Sequence, residues 1–406
     1  MKIIVGVLYT LLPEIILFIV AAVLAHYTAY FPGTGILATE LVALFILLAA
    51  LALSLQFSRS RMFFALLTVL IGYGALLLYA GSHNSLNRQI LAGSLYLFLP
   101  LNLVCAHILA ERGVFNRYGA WPFVWLLLEI VFVAVLLGAR AQGVANALFV
   151  EFLRWPMLTV IAISQPGLLL LAIGLLWLND RLIRRHSAEL AAFFFSLVAA
   201  AIVLQSKQPA TVAVFSAATG LAFGVAIILE SWSMAYLDEL TGLPGRRALD
   251  EQMRQLGNRY VITMLDVDRF KNFNDIYGHD VGDQVLRLVA SRLEARPVGG
   301  KAFRYGGEEF VLLYPGKNLK DVAPVLEALR TEIETSGFSP RRGERRSGPE
   351  TAGTMDNNTP LRVTVSIGAA ESNDTRTDPW SVLKTADKAL YTAKNTGRNR
   401  VCLDGI

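Results

Sequence analysis

Eight apolar runs, each near the ~20 residues a helix needs to cross a bilayer, fill the first 232 positions of this 406-residue chain. They cover Ile3–His26, Thr34–Phe57, Met62–Gly81 and Ile90–Ala110, then Trp121–Ala139, Pro156–Leu178, Leu190–Gln205 and Thr211–Trp232. With 54% hydrophobic residues and a mean hydropathy of +0.48, the chain is too apolar for an ordinary water-soluble fold. Leu190–Gln205 is the weakest run because it is short, and Pro13, Pro122 and Pro166 kink or start their helices. The first run is too long for a cleavable signal, and no small-residue cleavage site follows it.

Charge orients the eight spans. With the C-terminus cytoplasmic, the inner side carries Lys2, Arg59, Arg61, Arg112, Arg117, Arg181, Arg184 and Arg185. The outer side carries only Arg88, Arg140, Arg154 and Lys207, as the positive-inside rule requires. These inner loops and a basic stretch after Pro340 account for part of the net charge of +5, so no nucleic-acid partner is needed to explain it. Cys105 falls in the fourth span and Cys402 near the C-terminus, too far apart for a disulfide. Glu14, Glu40, His107 and Glu129 lie inside spans, where ionisable groups are costly. Two roles stay open for them, a ligand or proton site and a hydrogen bond to a neighbouring helix.

After Ser233–Leu237 the pattern alternates between strand and helix, which suits a mixed sheet covered by helices. Strand Tyr260–Leu265 is followed by helices over Lys271–Tyr277 and Val281–Glu294, then by strands Lys301–Tyr305 and Phe310–Tyr314. Helix Leu319–Thr335, strand Leu361–Ile367, helix Pro379–Asn395 and strand Arg400–Leu403 complete the order, with no internal repeat.

Two acidic motifs stand out. Gly306-Gly307-Glu308-Glu309 sits at a turn between strands, where glycines allow positive φ and close backbone approach and the acids offer oxygen ligands to a hard cation. Asp266-Val267-Asp268 ends the first strand, and period-two alternation is expected to point both Asp carboxylates to one side. Side by side, Asp266, Asp268, Glu308 and Glu309 would form a Mg²⁺ site of the phosphoryl-transfer kind. Between the motifs, Asn and Asp side chains suit the edge of a purine. Lys394 and Arg398, at a helix end closed by Gly397, suit a triphosphate tail.

With Asp238-Glu239-Leu240-Thr241-Gly242-Leu243-Pro244-Gly245-Arg246-Arg247 as an opening motif, Ser366-Ile367-Gly368 and Gly397-Arg398-Asn399, the stretch from about Asp238 to Val401 resembles the GGDEF family of diguanylate cyclases. The resemblance implies a palm-like α/β (α+β) cyclase domain that condenses two GTP molecules to cyclic di-GMP and pyrophosphate. It implies metal ligands at Asp266, the Val267 carbonyl and Glu308, with Glu309 near or on a second metal, and two Mg²⁺ or Mn²⁺ ions per half-site. Glu308 is also the implied base, although a metal-bound carboxylate has low proton affinity, so positioning and proton transfer both stay open. Asn274 and Asp283 would bind guanine, and His279 would line the pocket. Phe270 and Lys271 would offer backbone amides to the phosphates, and Lys394 and Arg398 would hold the β- and γ-phosphates. Asp283 favours GTP over mixed purines, and each domain supplies one half-site, so catalysis requires a homodimer.

Three departures accompany the resemblance. Gly245 replaces the usual Asn of the opening motif. Pro297-Val298-Gly299-Gly300 stands where an Arg-x-x-Asp product-inhibition motif would fall, so inhibition through that site is expected to be absent. An insertion, Pro340–Pro360, is too polar to order itself. It reads as a loop, with a basic contact through Arg341, Arg342, Arg345 and Arg346 as the alternative.

The expected organisation is a polytopic α-helical membrane domain over 1–232, a linker over 233–237 and a GGDEF domain over 238–406. This would lie in a bacterial inner membrane among lipids, with the cyclase cytoplasmic and the spans acting as regulator or anchor. Two other readings remain, an inert GTP or cyclic di-GMP receptor and a transport-type protein with a regulatory nucleotide domain. The intact glycine-acid motif weighs against the receptor.

Overall fold

The structure, a computed structural model, describes residues 2–28, 33–81, 84–149, 164–185, 187–206, 208–295, 299–338, 361–372 and 378–404. The insertion over 340–360 and the start of the sixth apolar run lie outside them. Two compact units divide the chain, Met1–Ser231 and Trp232–Ile406.

The first unit is helical: α1 (Lys2–Thr28), α2 (Gly33–Gln56), α3 (Ser60–Gly81), α4 (Ser85–Ile108), α5 (Ala120–Gly138), α6 (Gln142–Leu148), α7 (Gln165–Arg185), α8 (Ala188–Gln205) and the start of α9 (Pro209–Tyr236). Among the described residues eight helices, all but α6, are long and apolar enough to cross a membrane. The short α6 was not foreseen, because seven residues are too few to read as a span. Ser233–Tyr236, expected as linker, continue α9.

These helices are apolar on their outer surface as well as inside, unlike those of a water-soluble bundle. Phe45, Trp121 and Leu176 are 72%, 74% and 71% exposed. The inner seams are built from small and aromatic residues such as Ala192, Ala213, Phe193 and Phe223. A Cβ on Gly167 would stand 2.6 Å from the Tyr96 carbonyl, so only glycine lets α7 approach α4 this closely. Polar groups join helices in pairs: Asn102 of α4 donates to Glu129 of α5 at 2.6 Å and accepts from the Trp125 indole at 3.1 Å. Of the two roles left open for Glu129, the hydrogen bond between helices is the one observed.

The second unit contains α10 (Arg246–Arg254), β1 (Tyr260–Val267), α11 (Phe270–Tyr277), α12 (His279–Ala295), β2 (Lys301–Gly306), β3 (Glu309–Pro315), α13 (Leu319–Thr335), β4 (Val365–Ser372), α14 (Pro379–Asn395) and β5 (Val401–Leu403). The sheet order is β2-β3-β1-β4-β5. All neighbours are antiparallel except β4 and β5. Every residue of the central β1 is buried, because both faces are covered. Val261 and Leu265 face a core with Val285, Val289 and Leu326 of α12 and α13. Ile262 and Met264, one residue out of phase, face Leu249, Leu383 and Leu390 of α10 and α14. Each such side chain contributes about 1.5–3 kcal/mol on burial.

The strand expected at Leu361–Ile367 is displaced. Leu361 makes only an isolated bridge with Phe338, and β4 begins at Val365, opposite Val267 at the end of β1. Gly368 of β4 lies under α14: a Cβ there would stand 2.1 Å from the Leu390 nitrogen and 2.2 Å from the Ala386 carbonyl oxygen.

Candidate active site

The carboxylates gather where β1 ends beside the β2–β3 hairpin. Asp266 is the direct register partner of Glu309 on β3. The turn between β2 and β3 passes through Gly307 at φ +46°, left-handed backbone that suits glycine, and places Glu308 at the tip. The Val267 N–H donates to the Glu308 carbonyl at 3.4 Å, tying the tip back to β1.

Asp266 is buried, and the Lys394 ammonium of α14 sits 2.8 Å from its Oδ2. Burial pushes the Asp266 carboxyl above its ordinary range, against the pull of Lys394. Glu308 and Glu309 are raised as well, by burial first and then by the negative charge of Asp266, with Lys394 opposing. The Asp266 charge raises the proton affinity of both glutamates, so this corner of the domain is short of positive charge. Among the described residues no three His, Cys, Asp or Glu side chains already converge in metal-holding geometry. The gathered acidic side chains offer oxygen donors only, the chemistry that suits a hard divalent cation.

Asp268 does not join this set, which corrects the sequence expectation. Its carboxylate accepts from the Ser366 hydroxyl at 2.6 Å, the Thr364 hydroxyl at 2.8 Å and the Asn399 N–H at 3.0 Å. Its own N–H donates to the Thr364 carbonyl at 2.9 Å. β1 has ended at Val267, so period-two alternation no longer governs Asp268, and it anchors β4 and the Gly397–Asn399 turn instead.

The remaining expected residues occupy two places. Arg398 lies close enough to Asp266 to favour its ionised form, and it holds φ +61° with its N–H donating to the Ala393 carbonyl at 3.0 Å. Phe270, Lys271 and Asn274 lie on α11, entered through Arg269 at φ +56°. His279 and Asp283 lie on α12. Phe270 is buried in the core while Lys271 and His279 are exposed. The Asn274 Oδ1 is buried without a hydrogen-bond partner, against Gly282, where a Cβ would overlap it. Among the described residues no hydrogen bond or ion pair joins Asn274, His279 or Asp283 to the carboxylates.

Sequence reading missed Arg304. Its guanidinium donates to Asp238 of the opening motif at 2.7 Å and to the Gly307 carbonyl at 2.7 Å. Burial tends to raise the Asp238 carboxyl, but hydrogen bonds from Thr241 and Arg304 bring it below its ordinary range. Asp238 and Arg304 are 66 residues apart, and nothing local in the sequence signals the pairing.

Residues 235–400 match the family described as diguanylate cyclase, GGDEF domain. This region is a GGDEF domain. Diguanylate cyclase VdcA of Vibrio cholerae is 40% identical to it over 171 residues, 41% of this chain and 46% of that protein. Response regulator PleD of Caulobacter vibrioides is 35% identical over 180 residues, 42% of this chain and 37% of that protein. The chain thus spans less than half the length of these curated relatives. Among solved structures, the coiled coil and GGDEF domain of DgcB from Caulobacter crescentus in complex with c-di-GMP is 34% identical, covering 43% of this chain and 89% of that one, with a TM-score of 0.38.

Proposed function

We propose that the chain is a membrane-bound diguanylate cyclase that condenses two GTP molecules to cyclic di-GMP and two pyrophosphates, its membrane region anchoring or regulating the GGDEF domain in a bacterial inner membrane. The gathering of Asp266, Glu308 and Glu309 beside Lys394 within that domain carries the reading. In each condensation a 3′-oxygen forms a bond to the α-phosphorus of the other nucleotide, the α–β bridging P–O bond breaks, and the hydroxyl proton is lost to a base.

Asp266, the Val267 carbonyl and Glu308, with Glu309 alongside, would hold Mg²⁺ or Mn²⁺. When bound, the ions acidify the attacking hydroxyl and neutralise charge on the leaving oxygens. The chain's own groups do the rest. Lys394 and Arg398 hold the triphosphate tail as point charge and fork. The amides of Phe270 and Lys271, at the start of α11, meet phosphate oxygens. Asn274 and Asp283 read the guanine edge. His279 lines the nucleotide pocket. Two such domains face one another in a homodimer, each presenting one nucleotide.

The purified full-length protein incubated with GTP and Mg²⁺ is expected to yield cyclic di-GMP by mass spectrometry, and Glu308→Gln to yield none. Equal product from both would remove Glu308 from the reaction. GTP binding without product from the native chain would replace the enzyme by a receptor.

A further inference from the structure

Where α3 and α8 begin and α4 and α7 end, the first unit forms a half-open pocket of about 460 Å³ whose lining includes Arg61, His107, Trp177, Arg181, Arg185 and the carboxylates Glu189 and Glu230. None of these residues takes part in the reaction above. Arg181 and Arg185 stand one turn apart on α7, and among the described residues neither forms an ion pair with a carboxylate. Other arginines nearby are neutralised: Arg184 is bonded to Asp180 at 2.9 Å, and Arg61 lies 3.8 Å from Glu111 and 3.5 Å from Glu189. Trp177 forms one wall, with the Arg181 guanidinium 4.9 Å from its ring centroid. His107 meets Trp177 and Phe193 edge-on.

A second, independent feature points to an occupant. The His107 side chain is only 10% exposed, and its Nδ1 faces Glu189 Oε1 across 3.9 Å. His107 Nδ1 has no hydrogen-bond partner, and Glu189 Oε1 has only the Arg61 guanidinium, 3.5 Å away. The distance between His107 and Glu189 is too long for a direct bond and suits a bridging hydroxyl or water. A buried imidazole nitrogen left unpartnered at the end of a membrane bundle is expensive to keep without a ligand.

We propose that this cavity binds the phosphate group of an anionic amphiphile. Two unneutralised guanidiniums one turn apart fit tetrahedral phosphate oxygens through forked hydrogen bonds. His107 and Glu189 are placed to meet a hydroxyl of the same headgroup. Trp177 and the 62%-exposed Ile108 give apolar surface where an acyl chain would leave. Basic pockets between membrane helices recognise phospholipid headgroups by this chemistry. A soluble phosphate ester shares it. The lipid source rests on the membrane reading above, whereas binding of free phosphate does not.

The test is native mass spectrometry of the full chain in detergent, with phosphatidylglycerol or phosphatidylcholine added and inorganic phosphate as competitor. The native protein is expected to retain phosphatidylglycerol in preference to phosphatidylcholine, and the double variant Arg181→Gln/Arg185→Gln to lose at least about tenfold of that retention. Arg184→Gln, already neutralised by Asp180, is expected to change nothing. If the double variant does not fold, Arg185→Gln alone, at an exposed position, is expected to lose about threefold. Displacement by millimolar phosphate would assign the site to soluble phosphate esters, and resistance to it would assign the site to lipid. Unchanged retention in the arginine variants, or equal retention of the two lipids with no binding of phosphate, would overturn the proposal.

Discussion

The two units place their large apolar side chains by opposite rules. In the GGDEF domain large apolar side chains lie in two cores on either side of β1. In the first unit Phe45, Leu78, Trp121 and Leu176 face outward at 70% exposure or more. Exposure therefore falls on polar surface in one half and on apolar surface in the other, as hydrocarbon contact along the proposed spans would require. A glutamate on the GGDEF surface needs no partner, whereas Glu129 is bound through Asn102. The same comparison says where a substitution should hurt: packing and hydrogen bonds around the sheet, and, under the proposed membrane reading, complementarity to lipid along the helices.

Withdrawing detergent should separate the halves most sharply. The full chain is expected to precipitate, and a fragment starting at Trp232 to stay monodisperse in size-exclusion chromatography; a soluble full chain would break the comparison. Next, Asp266→Asn is expected to lower cyclic di-GMP formation by at least ~10²-fold, measured beside an unchanged elution volume. Gly368→Val drives a side chain into the backbone of α14 and should destabilise the domain by about 3 kcal/mol or more. Thermal unfolding followed by circular dichroism should show loss of the GGDEF transition with the helical signal of the first unit retained. Asp268→Ala leaves three donors unsatisfied and should cost about 2 kcal/mol, read as a lower GGDEF unfolding midpoint.

The smallest effect concerns pH. A carboxyl whose folded pKa is raised binds its proton more tightly in the folded state, so its contribution to stability is fully present below the unfolded value and falls as pH rises through the folded one. Glu308 is such a group. Glu308→Gln should therefore stabilise the metal-free domain at neutral pH by about 0.5 kcal/mol after solvent screening of this half-exposed side chain. The gain should vanish below the ordinary carboxylate range, where the native residue is already protonated. A gain that grows on acidification would contradict the raised value.

Much of this was legible in the sequence, for reasons that differ between the halves. The apolar runs are long enough to mark helices by length alone, yet their ends moved, because Ser233–Tyr236 continue a helix that hydropathy had closed. In the GGDEF domain the glycine pair marks the turn, and the strand before Asp266 marks the acidic end. Asp268 was misread because its role depends on Thr364 and Ser366, 96 and 98 residues away. Arg304 was missed for the same reason. Local pattern shows where a chain turns, and long-range hydrogen bonds decide what each polar side chain then holds.

One ammonium, 2.8 Å from Asp266, has two anions to serve in the proposed reaction. If Lys394 turned toward a triphosphate, Asp266 would keep only the more distant Arg398 as a counter-charge beside Glu308 and Glu309, and the affinity of that strand end for cations would rise. By reciprocity, a cation at the carboxylates would free Lys394 and strengthen its hold on nucleotide. The domain would then act as an AND gate, with neither input alone giving the full binding of both together.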